Sequence, residues 1–188
     1  MLSKVVDEIS ETLTAVIKGT DNVLTALRGA VKNQLSGSLK DVGDLTSGAM
    51  GVVSDTVGGA LKSASDLGTS LVDATKEIVV GALDAVSEAG GSVISAGRNA
   101  VSGAIIAAAD IGGDVGKVAV SAVEGVVEVA GKLGKDTAEA TREAVLGAVK
   151  AADDVGSETA QSVKDALLGA ASLPRDVVEK VIKGSNKA

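Results

Sequence analysis

The chain has 188 residues, a net charge of −7, 24 Gly and one Pro, and it contains no Cys, His, Phe, Tyr or Trp. Its length suffices for a sizeable core, but without aromatic side chains every buried contact must come from Val, Leu, Ile, Ala and Gly. The negative charge excludes a nucleic-acid binder of the usual basic, aromatic-studded kind, and the missing Cys and His remove disulfides, thiolate metal sites and the commonest general base.

The N-terminus, Met1-Leu2-Ser3-Lys4-Val5-Val6-Asp7-Glu8, is charged within its first turns and has no signal-peptide core, and Leu2 excludes myristoylation. From there glycine sets a strict rhythm. Gly37, Gly59, Gly81, Gly103, Gly125, Gly147 and Gly169 are each 22 residues apart, and Gly68, Gly90, Gly112, Gly134 and Gly156 form a second series with the same spacing. The surrounding sequence repeats too, as in Gly81-Ala82-Leu83, Gly103-Ala104-Ile105 and Gly147-Ala148-Val149. The period divides again. Steps of 11 from Asp44 give Asp55, Asp66, Glu77, Glu88, Asn99, Asp110, Ser121, Lys132, Glu143, Asp154, Asp165 and Asp176. An 11-residue repeat closes on three helical turns, at about 3.67 residues per turn, so one face is kept along a helix. The fold class is therefore all-α, built from amphipathic helices of 22-residue units.

On that geometry Val126, Val127, Val145, Ala148, Val149, Ala152 and Val155 belong to a continuous apolar contact face. The acidic column Asp44, Asp55, Asp66, Glu77, Glu88, Asp110, Glu143, Asp154, Asp165 and Asp176 lines one flank of the polar face. Lys32, Lys76, Arg98, Arg142, Lys164 and Arg175 lie toward the other. Two such helices lying parallel on one surface would bring the acidic flank of one against the basic flank of the next. The pattern therefore predicts parallel side-by-side association between chains.

The second glycine series follows an apolar residue and precedes a polar one, as in Leu67-Gly68-Thr69-Ser70 and Ile111-Gly112-Gly113-Asp114. This is the pattern of a helix C-cap followed by an N-cap, which would give an antiparallel meander. The same glycines also suit one long helix, as small residues that admit a neighbouring backbone. Such regular two-residue connections leave little room to reverse direction, which favours the long helix, with breaks at Gly58-Gly59, Gly90-Gly91, Gly112-Gly113 and Pro174. Pro174 fits the first turn of a new helix. It divides the chain into a repeat region, 1–173, and a short C-terminal helix and tail, 174–188.

Segments such as Ala122-Val123-Glu124-Gly125-Val126-Val127-Glu128-Val129-Ala130-Gly131-Lys132 resemble the 11- and 22-residue repeats of apolipoproteins, synucleins and perilipins, in period and composition across nearly the whole chain. The resemblance implies reversible adsorption to lipid through helices lying in the surface.

Chemistry has no foothold in the pattern. Gly112-Gly113-Asp114-Val115-Gly116-Lys117-Val118 is one residue short of a phosphate loop and has Val118 where that loop needs Ser or Thr. Asp7-Glu8 and Asp153-Asp154 are helix neighbours that diverge by about 100°, and the many Ser and Thr have no His to activate them. No catalytic residue, cofactor or metal is expected. Uncharged runs such as Asn99 to Ala109, eleven residues, fall short of the roughly 20 needed to span a bilayer. The expected protein is a non-enzymatic scaffold or coat, cytoplasmic or peripheral on a membrane. Its partners would be a lipid surface or identical chains, as a homo-oligomer or filament. The alternative is a structural protein that assembles into a filament or bundle without lipid.

Overall fold

The computed structural model describes residues 20–41 and 47–185. All the regular structure among them is helical: α1 (Thr20–Asp41), α2 (Ser47–Asp66), α3 (Leu71–Glu88), α4 (Val93–Asp110), α5 (Val115–Lys132), α6 (Thr137–Val155), α7 (Ser157–Gly169) and α8 (Arg175–Ser185). The long helix expected from the period is not formed. Helices α3, α4 and α5 have 18 residues each, and four-residue linkers complete each 22-residue unit.

Every such break falls on the second glycine series. Gly68, Gly90, Gly112 and Gly134 have φ of 71°, 78°, 70° and 63°, a region costly for any residue with a Cβ. Each closes a Schellman motif. At the first corner the Thr69 N–H donates to the Ala64 carbonyl at 3.0 Å and the Gly68 N–H to the Ser65 carbonyl at 2.9 Å, and the other three corners repeat this. Two residues past each glycine, the side chain of Ser70, Ser92, Asp114 or Asp136 accepts a backbone N–H of the next helix's first turn. With four residues outside the helix, rather than the two counted from sequence, the chain has room to turn back. Gly58-Gly59 does not break at all and stays inside α2. Pro174 does: its carbonyl accepts the Val177 and Val178 N–H groups at 3.1 Å as α8 begins.

Consecutive helices run antiparallel: a Cβ on Gly97, near the start of α4, would meet Val126, near the end of α5. Alternate helices run parallel and pack side by side, α1 with α3, α2 with α4, α3 with α5 and α4 with α6. The result is two layers, α1, α3, α5, α7 and α2, α4, α6, α8, stacked as hairpins in the manner of an α-solenoid. The core between the layers is aliphatic. It is filled by Leu27, Leu35, Leu61, Ile78, Leu83 and Ile105 among many smaller Val and Ala side chains, all fully buried.

The first glycine series sits at the crossings of parallel helices. A Cβ on Gly81 or Gly147 would lie 2.5 Å from the carbonyl oxygen of Arg28 or Arg98, and on Gly125 3.2 Å from that of Lys76. At Gly103 the Ser54 carbonyl is closer still. Without side chains at these points the backbones touch. Gly37, Gly59 and Gly169 continue the series, but among the described residues a Cβ on any of them would meet nothing within 4 Å.

Candidate functional site

The residues singled out by sequence come together in the seams of the stack. Val126, Val145, Ala148 and Ala152 are wholly buried and Val149 nearly so, while Val127 packs partly buried against the same core. The apolar face thus meets other helices of its own chain. Val155 differs: as the last residue of α6, ahead of Gly156, it is 42% exposed.

The charged flanks meet across the parallel seams. Lys32 on α1 pairs with Glu88 on α3 at 2.6 Å, and Arg98 on α4 with Glu143 on α6 at 3.3 Å. Glu77 is met by Arg28 at 3.7 Å, Asp110 by Lys62 at 2.8 Å, and Lys76 by Glu128 at 2.9 Å. In each pair the cation lies on the earlier helix and the carboxylate on the helix two places later. Acid beside base in parallel helices is therefore present within one chain. Of the remaining flank residues, Arg142 reaches Glu143 at 4.0 Å, Lys164 reaches Asp153 at 3.3 Å, and Arg175 pairs with Glu179 one turn along α8. Asp165 accepts from the Gln161 side chain at 2.8 Å. Asp55 and Asp66 lie on α2, Asp154 at the end of α6, and Asp176 in the first turn of α8. Asp44 lies outside the described residues.

Sequence columns alone missed Arg28, Lys62, Asp84 and Glu128. Arg28 and Asp84 sit one turn from column members Lys32 and Glu88 and, like them, meet across the seam at 2.6 Å. Arg28 and Asp84 are 56 residues apart and Lys62 and Asp110 are 48 apart, separations that a search by 11- or 22-residue columns does not pair. The pairs tune one another. The Asp84 carboxylate holds the Arg28 guanidinium above its ordinary pKa, and Glu128 does the same for Lys76. Glu128, bonded by Lys132 and then by Lys76, is held below the usual carboxylate range. On α8, Lys183 and Arg175 pull Glu179 down to about 2.

Polar groups inside the seams are satisfied locally. The Ser121 hydroxyl donates across the α3–α5 seam to the Val72 carbonyl at 2.6 Å, and Thr75 and Thr141 donate to carbonyls one turn back. Among the described residues no group of three or more Asp and Glu is placed to hold a metal ion, and no helix is long and apolar enough to cross a membrane. No protein-family model and no curated protein matches the chain.

Proposed function

We propose that this is a non-enzymatic coat protein whose hairpin stack is a closed form, and that the stack opens to lay its apolar columns on a hydrophobic surface such as lipid. The observation that carries this reading is the phase of the corners. Eighteen helical residues and four linker residues make 22, which is six turns at the 11-residue pitch. Recoiling a linker as helix would therefore join two helices with their apolar columns on one face. The residue that must change most at each corner is glycine, which moves between left- and right-handed conformations without a Cβ penalty. Opening exchanges one burial of the apolar columns for another, so a surface can drive it only through its differential affinity for the open form.

A disulfide tests the idea directly, since the chain has no Cys of its own. A Cβ on Gly58 would lie 3.6 Å from that of Ala107, within disulfide reach. The Gly58→Cys, Ala107→Cys pair would tie α2 to α4 and trap the corners at Gly68 and Gly90. Reduced protein should float with phosphatidylcholine vesicles and gain helical circular dichroism as linkers recoil; oxidised protein should do less of both. Equal flotation of the two forms would refute opening. Flotation of neither, with large particles forming in the absence of vesicles, would favour the lipid-free structural assembly.

A further inference from the structure

The seam between α6 and α8 departs from the first four, α1–α3 to α4–α6. After Pro174, α8 packs beside α6 less extensively than alternate helices do elsewhere in the stack. What remains is an open groove of about 660 Å³ between them, within the size range of small-molecule sites. Its floor is apolar, with Leu146 and Val177 half-buried and Val181 buried.

Charge pairing fails at the same place. In the first four parallel seams, α1–α3 to α4–α6, a cation on the earlier helix meets a carboxylate on the later one, whereas at α5–α7 the lysines Lys117 and Lys164 pair with Asp114 and Asp153 instead. At α6–α8, Arg142 on α6 shares the groove with Lys180 on α8, cation with cation. Arg142 is 63% exposed, and its only ion-pair partner among the described residues is Glu143, at 4.0 Å, a carboxylate whose other oxygen Arg98 holds. Of the two acids that also line the groove, Asp136 is engaged elsewhere and Glu139 is exposed. Asp136 caps α6 by accepting the Ala138 and Glu139 N–H groups at 2.9 and 3.0 Å. Glu139 stands in the first turn of α6, where the helix dipole offsets its charge.

We propose that this groove binds a free single-chain anionic amphiphile, of the fatty-acid class, with its chain along Leu146, Val177 and Val181 and its carboxylate between Arg142 and Lys180. The site needs no opening of the stack, so it stands or falls independently of the coat reading. Palmitate below its micellar concentration, without vesicles, is the probe, followed by equilibrium dialysis against the full chain. The parent should bind saturably, about one chain per protein, and the primary alcohol of the same length should bind at least tenfold more weakly. Arg142→Gln with Lys180→Gln should lose at least tenfold in palmitate affinity. Val177→Asp should lose as much, with the helical spectrum of each variant unchanged. Lys150→Gln, on α6 outside the groove, should bind as the parent does. The proposal is overturned if the parent does not bind saturably, if the double variant keeps parental affinity, or if Lys150→Gln loses as much. Dependence on Arg142 and Lys180 seen only with phosphatidylglycerol vesicles would also overturn it, in favour of a bilayer headgroup.

Discussion

Seams and corners of this stack are both built on glycine, for opposite reasons. At the seams Gly81, Gly103, Gly125 and Gly147 are ordinary right-handed helical residues, and what they provide is an absent side chain, so that a neighbouring carbonyl can touch the helix. At the corners Gly68, Gly90, Gly112 and Gly134 have open space where a Cβ would go, and what they provide is a positive φ. One residue type at one spacing thus solves a packing problem and a backbone problem. The two should respond differently to the same added methyl group.

The largest effect is expected at the tightest seam. In Gly103→Ala the new methyl would overlap the Ser54 carbonyl, and backbone cannot swing aside as a side chain can, so α2 and α4 must separate. Overpacking of this kind costs about 1–3 kcal/mol, and the upper end is expected here. Gly147→Ala should follow it, and Gly125→Ala, with 3.2 Å to the Lys76 carbonyl, should cost least of the three. Thermal unfolding by circular dichroism gives the order; a flat series would mean the seams are looser than the backbone contacts imply.

Corners come next. Gly112→Ala meets no neighbour, but it forces a Cβ into φ near 70°, at about 1–2 kcal/mol. Its distinguishing mark is rescue: Gly112→Asn should cost less than Gly112→Ala, because Asn tolerates the left-handed region. At Gly103 the larger Asn should be worse than Ala. If both sites rank the two substitutions alike, the distinction between seam and corner fails.

Much of this was legible in the sequence, and the reason it stopped where it did is physical. Helix, period and the burial of Val126, Val145 and Val149 follow from the 11-residue spacing. The capping chemistry of Leu67-Gly68-Thr69-Ser70 was legible as well. Whether the chain turned there was not, because 22 residues are in phase with a continuous helix and equally long enough for a helix and a reversal. The flanks predict acid beside base between parallel helices of neighbouring chains, and the pairs formed, Lys32 with Glu88 and Arg98 with Glu143, lie within one chain. Periodicity cannot tell a neighbour in another chain from the helix two places along. The α6–α8 groove escaped altogether, since it arises where Pro174 breaks the period.

The cross-seam ion pairs should matter less than either glycine class. Exposed pairs contribute only about 0–1 kcal/mol each. Their pH dependence has a definite sign. Glu128 is held below its usual range in the folded chain, so its contribution is present above the ordinary carboxylate pKa and fades as pH falls through the depressed one. Stability should therefore drop on acidification below about pH 4.5, and Glu128→Gln should flatten part of that drop while leaving a plateau from pH 6 to 8, where the chain has no His to titrate. A titration curve unchanged by the substitution would show that the Lys76–Glu128 seam contact carries no net energy.

The smallest change, and the one with reversed sign, belongs to a glycine that serves neither purpose. Gly37 keeps the 22-residue register of the seam series, yet it lies within α1 with a right-handed backbone, and a Cβ there would meet nothing within 4 Å. Nothing among the described residues around it requires a missing side chain, and its φ does not require glycine. What remains is the intrinsic cost of glycine inside a helix, about 0.5–1 kcal/mol relative to Ala. Gly37→Ala should accordingly stabilise the helical stack, by about 0.5 kcal/mol given its place near the end of α1. The same substitution at Gly81, one unit further on and facing the Arg28 carbonyl at 2.5 Å, should destabilise it. Combining Gly37→Ala with Gly103→Ala should give the sum of the two effects, because the sites share no contacts. A Gly37→Ala variant that unfolds at lower temperature than the parent would mean that Gly37 is itself a seam, received by another copy of the chain. Concentration-dependent unfolding of the parent, lost in that variant, would then identify the partner.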